Sequence, residues 1–412
     1  MSHPEQITVQ NWKKSITLFL GSQTISLFGS ALVQYAIMWY ITLTTQSGIM
    51  MTISIICGFV PTFFLSPFAG VWADRYNRKI LILLADSMIA ISTLILAILF
   101  LNGYDSMWLL FVISAIRAIG TGIQTPAVGA ILPQIVPGDK LTKVNGANGS
   151  IQALVMLLAP IASAGLLSMT TIEIIFFIDV ITAAIAVFTL LLFLKVPLHE
   201  KAKEAQTTGY FSDFKEGLVY INNHAFLKKF FTFFAMFLIL AAPAAFLTPL
   251  QVTRSFGANE WYLSAIEIAF SIGMMAGGIL IATWGGFKNK THTMTLSAFG
   301  FGISTVLLGV IPVFWIYLII MALTGIVMPM FNTPATVLLQ EKVGPDYLGR
   351  VFGVLTMIST SVMPLGMIIF GPLADIVAIE WLLIGTGILL FMLGFVLLRS
   401  KVLIEAGKPD ME

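Results

Sequence analysis

The chain has 412 residues, of which 58% are apolar and 10% charged, and a mean hydropathy of +0.95. Ordinary soluble domains carry about 25% charged residues, so the composition excludes one. With 22 Lys and Arg against 20 Asp and Glu the net charge is only +2, and no nucleic-acid partner is expected.

A helix needs about 20 apolar residues to cross the hydrocarbon core. Twelve stretches meet that need, near residues 16–43, 49–72, 80–101, 107–127, 146–168 and 172–194, then 227–252, 261–284, 293–311, 314–337, 350–374 and 381–398. The N-terminus lacks a short apolar segment followed by a small-residue cleavage site, so the first run is read as a retained span. An all-α, multi-pass protein of the cell membrane is expected, embedded in a lipid bilayer.

In span 1, Gln23, Ser26, Ser30 and Gln34 recur every three or four residues and share one helix face. Hydrocarbon cannot satisfy such groups, so the stripe is expected to face a water-accessible cavity, with Tyr35 and Trp39 as apolar walls. Span 2 holds the only cysteine, Cys57, which has no disulfide partner and leaves no Cys/His zinc set. No metal or cofactor is expected. After span 2 the chain reads Gly70-Val71-Trp72-Ala73-Asp74-Arg75-Tyr76-Asn77-Arg78-Lys79, in which Asn77 is expected to tolerate a left-handed turn.

Span 3 carries Asp86, about two turns from its basic end, where it is expected to reach water or the basic loop. Span 4 repeats the polar stripe with Ser114, Arg117, Thr121 and Gln124. Asp179 in span 6 and Glu267 in span 8 lie about two turns from the opposite ends of their spans, where a short acid cannot easily reach water. Burying a charge in lipid costs about 2.5–3.5 kcal/mol on insertion scales, so each acid needs a partner, a proton or water. Glu267 and Asp179 are therefore candidates for carrying a proton, and Arg117, always charged, for controlling an acid's charge. Met330 and Phe331 in span 10 are further candidate cavity walls.

Residues 195–226 form the one long polar interval and divide the chain into 1–194, the linker and 227–412. Within the linker Phe211, Phe214, Leu218 and Ile221 recur at helical spacing, predicting a helix on the membrane surface. The halves repeat: Thr125-Pro126-Ala127 and, nine intervening residues on, Pro137 match Thr333-Pro334-Ala335 and Pro345 at an offset of 208. They are predicted to be two parallel six-helix pseudo-repeats. Placing the N-terminus inside puts 20 of the 22 basic residues on the inner side, with Arg254 alone outside and Arg117 within the membrane. That asymmetry predicts both termini inside.

The 70–79 loop resembles the signature at the same loop of the major facilitator superfamily, and the twelve spans with a central linker extend the resemblance over nearly the whole chain. The segments Arg117-Ala118-Ile119-Gly120-Thr121, Ile178-Asp179-Val180 and Trp284-Gly285-Gly286-Phe287-Lys288-Asn289 are similar to its macrolide-efflux branch. In span 5 the exporter pattern survives as Ala159-Pro160-Ile161-Ala162-Ser163-Ala164, with its proline but not its paired glycines. The resemblance implies a monomeric secondary transporter that exports small amphiphilic drugs by proton antiport, without enzyme activity. It also implies that Gly70, Asp74, Arg75, Arg78 and Lys79 gate the inner side. Import, a native metabolite or lipid as substrate, and a non-transporting membrane sensor remain the alternatives.

Overall fold

The computed structural model describes residues 12–137, 140–194 and 219–408. Fourteen helices lie wholly within them. In the first half of the chain these are α1 (Trp12–Thr45), α2 (Gly48–Arg75), α3 (Arg78–Leu101), α4 (Met107–Ile135), α5 (Leu141–Met169) and α6 (Ile172–Phe193). There follow α7 (Ala225–Phe246), α8 (Thr248–Ser255), α9 (Glu260–Trp284), α10 (Lys290–Val310), α11 (Phe314–Lys342), α12 (Pro345–Ile376), α13 (Ile379–Arg399) and α14 (Lys401–Ala406). Twelve spans are long and apolar enough to cross a membrane.

The seventh span departs from a single run. It is two helices, α7 and α8, that break at Leu247 with Pro243 and Pro249 on either side, because a proline supplies no backbone donor to the turn before it. The repeated prolines, Pro126 in α4 and Pro334 in α11, both lie inside their helices. Of the amphipathic linker helix, Phe211, Phe214 and Leu218 lie outside the described residues; Ile221 belongs to a short helical stretch at 219–223.

The chain forms two compact units, Met1–Ile37 with Val60–Thr207, and Met38–Phe59 with Thr208–Glu412. In the first, α3 packs on both α4 and α6. Glycines make the approach close: a Cβ at Gly120 would meet Ile89 and the Ala85 carbonyl of α3, and one at Gly29 of α1 would meet Thr182 and Asp179 of α6. In the second, α9 packs along α11 with Gly273 and Gly277 against the backbone of Ala322 and Ile326, and Gly325 against that of Phe270. Here α10 packs on α13 and α11, and α7 on α12 and α13.

The turn between α1 and α2 is held within the second unit. Asp375, at the end of α12, accepts hydrogen bonds from the backbone amides of Gly48 at 2.7 Å and Ile49 at 3.0 Å and from the Ser47 hydroxyl at 2.9 Å. Arg254 of α8 pairs with Asp375 at 2.9 Å and donates to the carbonyls of Ala374 and Gln46. Gln46 is the one non-glycine residue with positive φ, 46°, among those described.

Candidate functional site

The polar stripes of α1 and α4 meet in the first unit and form two rungs across the helices. The first centres on Asp179 of α6. Arg117 of α4 pairs with its carboxylate at 2.5 Å and also donates to the Thr93 hydroxyl of α3 and the Ser30 carbonyl of α1. The Ser30 and Thr93 hydroxyls each donate to Asp179 at 3.1 Å. Gly29 makes this possible, since a side chain there would hold α1 away from α6. Asp179 is fully buried and Arg117 nearly so, so the pair stands where an unpaired charge is most costly. Ser114, one turn before Arg117, is buried with no hydrogen-bond partner for its hydroxyl.

The second rung centres on Asp86, seven residues before Thr93 on α3. Gln124, seven residues after Arg117 on α4, donates to the Asp86 carboxylate at 2.5 Å. Gln23 and Ser26 of α1 donate to it at 3.4 Å and 3.5 Å, and Gln124 also donates to the Gln23 side-chain oxygen at 3.3 Å. Seven residues span about 10 Å of helix, which separates the rungs.

Asp86 corrects the sequence reading. It reaches neither water nor the basic loop: it is 1% exposed and faces the stripes of α1 and α4. Two of the loop's basic side chains are held elsewhere. Arg78 donates to the carbonyls of Ala73 and Ala130, and Lys79 to those of Leu191 and Leu194 at the end of α6, where carbonyls lack helical donors. Asn77 is a second correction. With φ −64° it is extended, not left-handed, and its side chain caps α3 by accepting from the amides of Lys79 and Ile80. Of the other loop residues, Gly70 borders open space, and the side chains of Asp74 and Arg75 lie outside the described residues.

The remaining candidates separate into exposed and packed. Gln34 and Thr121 are exposed, and Tyr35 is half-buried. Trp39 is fully buried. Phe331 is not a cavity wall: it stacks on Phe237 at 4.1 Å and on Phe234 at 5.7 Å, inside the second unit's aromatic core, and Met330 is buried beside it. Bulky apolar side chains on a helix are drawn equally to a core or to a ligand, and here the core of α7 and α10 takes them. Glu267 of α9 is half-buried and makes no hydrogen bond or ion pair among the described residues, and the rungs of the first unit do not include it.

The family model of the Major Facilitator Superfamily matches residues 16–367. Macrolide efflux protein A of Streptococcus pyogenes is 30% identical over 404 residues, covering 98% of this chain and 99% of that one. The Enterococcus faecalis protein of the same name is 30% identical over 323 residues, covering 78% of this chain and 99% of that one. A crystal structure of a variant of the nucleoside transporter NupG shares the fold, with a TM-score of 0.74 at 14% identity over 94% of this chain and 100% of that one.

Proposed function

The chain belongs to the Major Facilitator Superfamily, and from that membership we propose that it exports amphiphilic drugs, macrolides among them, by proton antiport with alternating access. As a member it is a secondary transporter of small substrates and a multi-pass protein of the cell membrane. The observation that carries the finer reading is the match to macrolide efflux protein A, which runs the length of both chains.

The two rungs support the coupling half of the reading. A transporter driven by protons needs acids whose charge depends on their surroundings. The first unit holds two buried acids, Asp86 and Asp179, the latter paired with Arg117, and the second unit holds Glu267; at least one of the three is the proton-carrying group. Gln23, Ser26, Ser30, Gln34, Tyr35, Thr121 and Gln124 supply the polar side of the substrate path. In this reading residues 1–194 and 227–412 are the two moving halves, both termini are inside, and the working protein is a monomer.

The test is erythromycin flux in proteoliposomes under an imposed pH gradient. Uphill erythromycin movement coupled to counter-movement of protons is expected, in the direction of export. Accumulation only with the gradient reversed identifies an importer, and no flux in either direction removes the drug reading. Asp179→Asn and Glu267→Gln, run beside the parent, apportion the coupling between those acids.

A further inference from the structure

Asp86 and Asp179 are both buried acids of the first unit, yet their surroundings differ in kind. The partners of Asp179 include a guanidinium, which only donates, in a geometry that satisfies the ionised carboxylate. Among the described residues, Asp86 has no cationic partner. Its partners are two carboxamides and a hydroxyl, Gln23, Gln124 and Ser26. Each of these groups both donates and accepts. A carboxamide that turns about its last bond exchanges its N–H donor for its carbonyl acceptor, so the cage that donates to a carboxylate also accepts from a carboxylic acid. Gln124 already bonds Gln23, and the two amides can rearrange together.

We propose that Asp86, caged by Gln23, Ser26 and Gln124, is the group that binds and releases the transported proton, while Asp179 stays ionised against Arg117 as a fixed charge. The step is a proton transfer alone. The Asp86 carboxylate takes a proton from water admitted on one side of the membrane and returns it to water on the other, with the two amides turning as it does so. Among the other charged groups on the elements packed against it, Glu173 lies in the first turn of α6, six residues before Asp179. Arg117 on α4 and Asp179 on α6 are one rung away and bonded to each other, and Arg78 and Lys79 at the start of α3 are held on carbonyls. On α1, Lys13 and Lys14 are exposed, more than two turns before Gln23.

The assignment rests on the proton-antiport reading, but its first test does not need a substrate. Infrared difference spectra of the purified full chain, recorded as pH is changed, should contain a protonated-carboxyl band that appears at acidic pH and vanishes reversibly as pH rises. The band should be absent in Asp86→Asn and intact in Asp179→Asn. Gln124→Ala, which keeps the acid and opens the cage, should move the titration of the band without removing it, which a purely structural role for Gln124 would not do. A band that persists in Asp86→Asn, or none at any pH in the parent, overturns the proposal.

The second test uses erythromycin in proteoliposomes. Asp86→Asn should lose pH-driven accumulation by about tenfold or more while retaining erythromycin exchange at equilibrium. If the parent accumulates the drug and Asp86→Asn does so equally, the proposal fails and the antiport reading stands. If the parent does not accumulate it, the antiport reading fails, and the infrared titration still decides whether Asp86 exchanges a proton. Should Asp86→Asn not fold, Asp86→Glu and Gln124→Ala carry both measurements, and an unchanged titration in both variants overturns the proposal.

Discussion

Asp375 accepts the Gly48 amide at 2.7 Å, so that the last turn of α12 caps the first turn of α2. The first amides of any helix lack partners within it and carry its partial positive charge. One carboxylate here takes two of them and the Ser47 hydroxyl, and Arg254 closes the arrangement by neutralising the acid and holding the Gln46 carbonyl. Close approach reinforces it: Gly371 lies against Gly48 and Thr52, whose hydroxyl donates to the Met367 carbonyl at 3.0 Å.

Asp375→Asn removes the charge from that helix start. The Gly48 and Ile49 amides should then exchange hydrogen about fivefold faster, corresponding to about 1 kcal/mol of lost capping. Hydrogen exchange of peptides covering 46–50 reads this directly. Because Asp375 and Arg254 are partly exposed, at 21% and 30%, raised salt should narrow the difference between parent and variant. Equal exchange in the two proteins would mean that the cap does not hold the turn.

Arg117→Ala strands Asp179 without its cation. The variant should lose about 3–5 kcal/mol of stability, and Arg117→Ala with Asp179→Ala should recover part of that loss, since it removes the orphaned charge. Arg117→Lys reaches fewer of the three partners and should fall between parent and alanine variant. Thermal unfolding in detergent of the parent, Arg117→Ala, Asp179→Ala and the double variant closes a double-mutant cycle, with Arg117→Lys measured beside it. Additive losses would show that the pair is not coupled.

Gly277 and Gly278 are adjacent in sequence and opposite in consequence. A Cβ at Gly277 would collide with the Ile326 carbonyl oxygen, whereas one at Gly278 meets nothing. Gly277→Leu should destabilise the protein by about 1–3 kcal/mol or more by forcing α9 off α11. Gly278→Ala should be neutral or stabilising by up to about 1 kcal/mol through helix propensity. Midpoints of thermal unfolding compare the two, and equal shifts would refute the close packing of α9 on α11.

Phe331→Ala removes a ring from the stack with Phe237 and Phe234. A stability loss of about 3–5 kcal/mol is expected, with transport of different substrates reduced alike. A selective change in substrate preference without loss of stability would restore Phe331 to the substrate path.

The spans are legible in the sequence because hydrocarbon admits so few polar residues that the exceptions mark the boundaries. The stripes are legible too, since residues three or four apart share a face. That periodicity orients a side chain about its own helix axis and says nothing of which helix it meets. It therefore could not place Asp86 against Gln124, or turn Phe331 into the aromatic core. The clasp on Asp375 had one visible sign. Arg254 is the basic residue that the charge asymmetry places alone on the far side, and its place against Asp375 and Gln46 gives a structural reason for a cation there.

The glycine seam of α9 and α11 has a mechanical meaning. Side chains at an interface act as springs, because a rotamer change can absorb a displacement before it travels further. Where Gly273, Gly277 and Gly325 bring backbone to backbone, that compliance is missing. A rotation of α11 at that seam is therefore passed to α9, which carries Glu267, with little taken up by side chains between them.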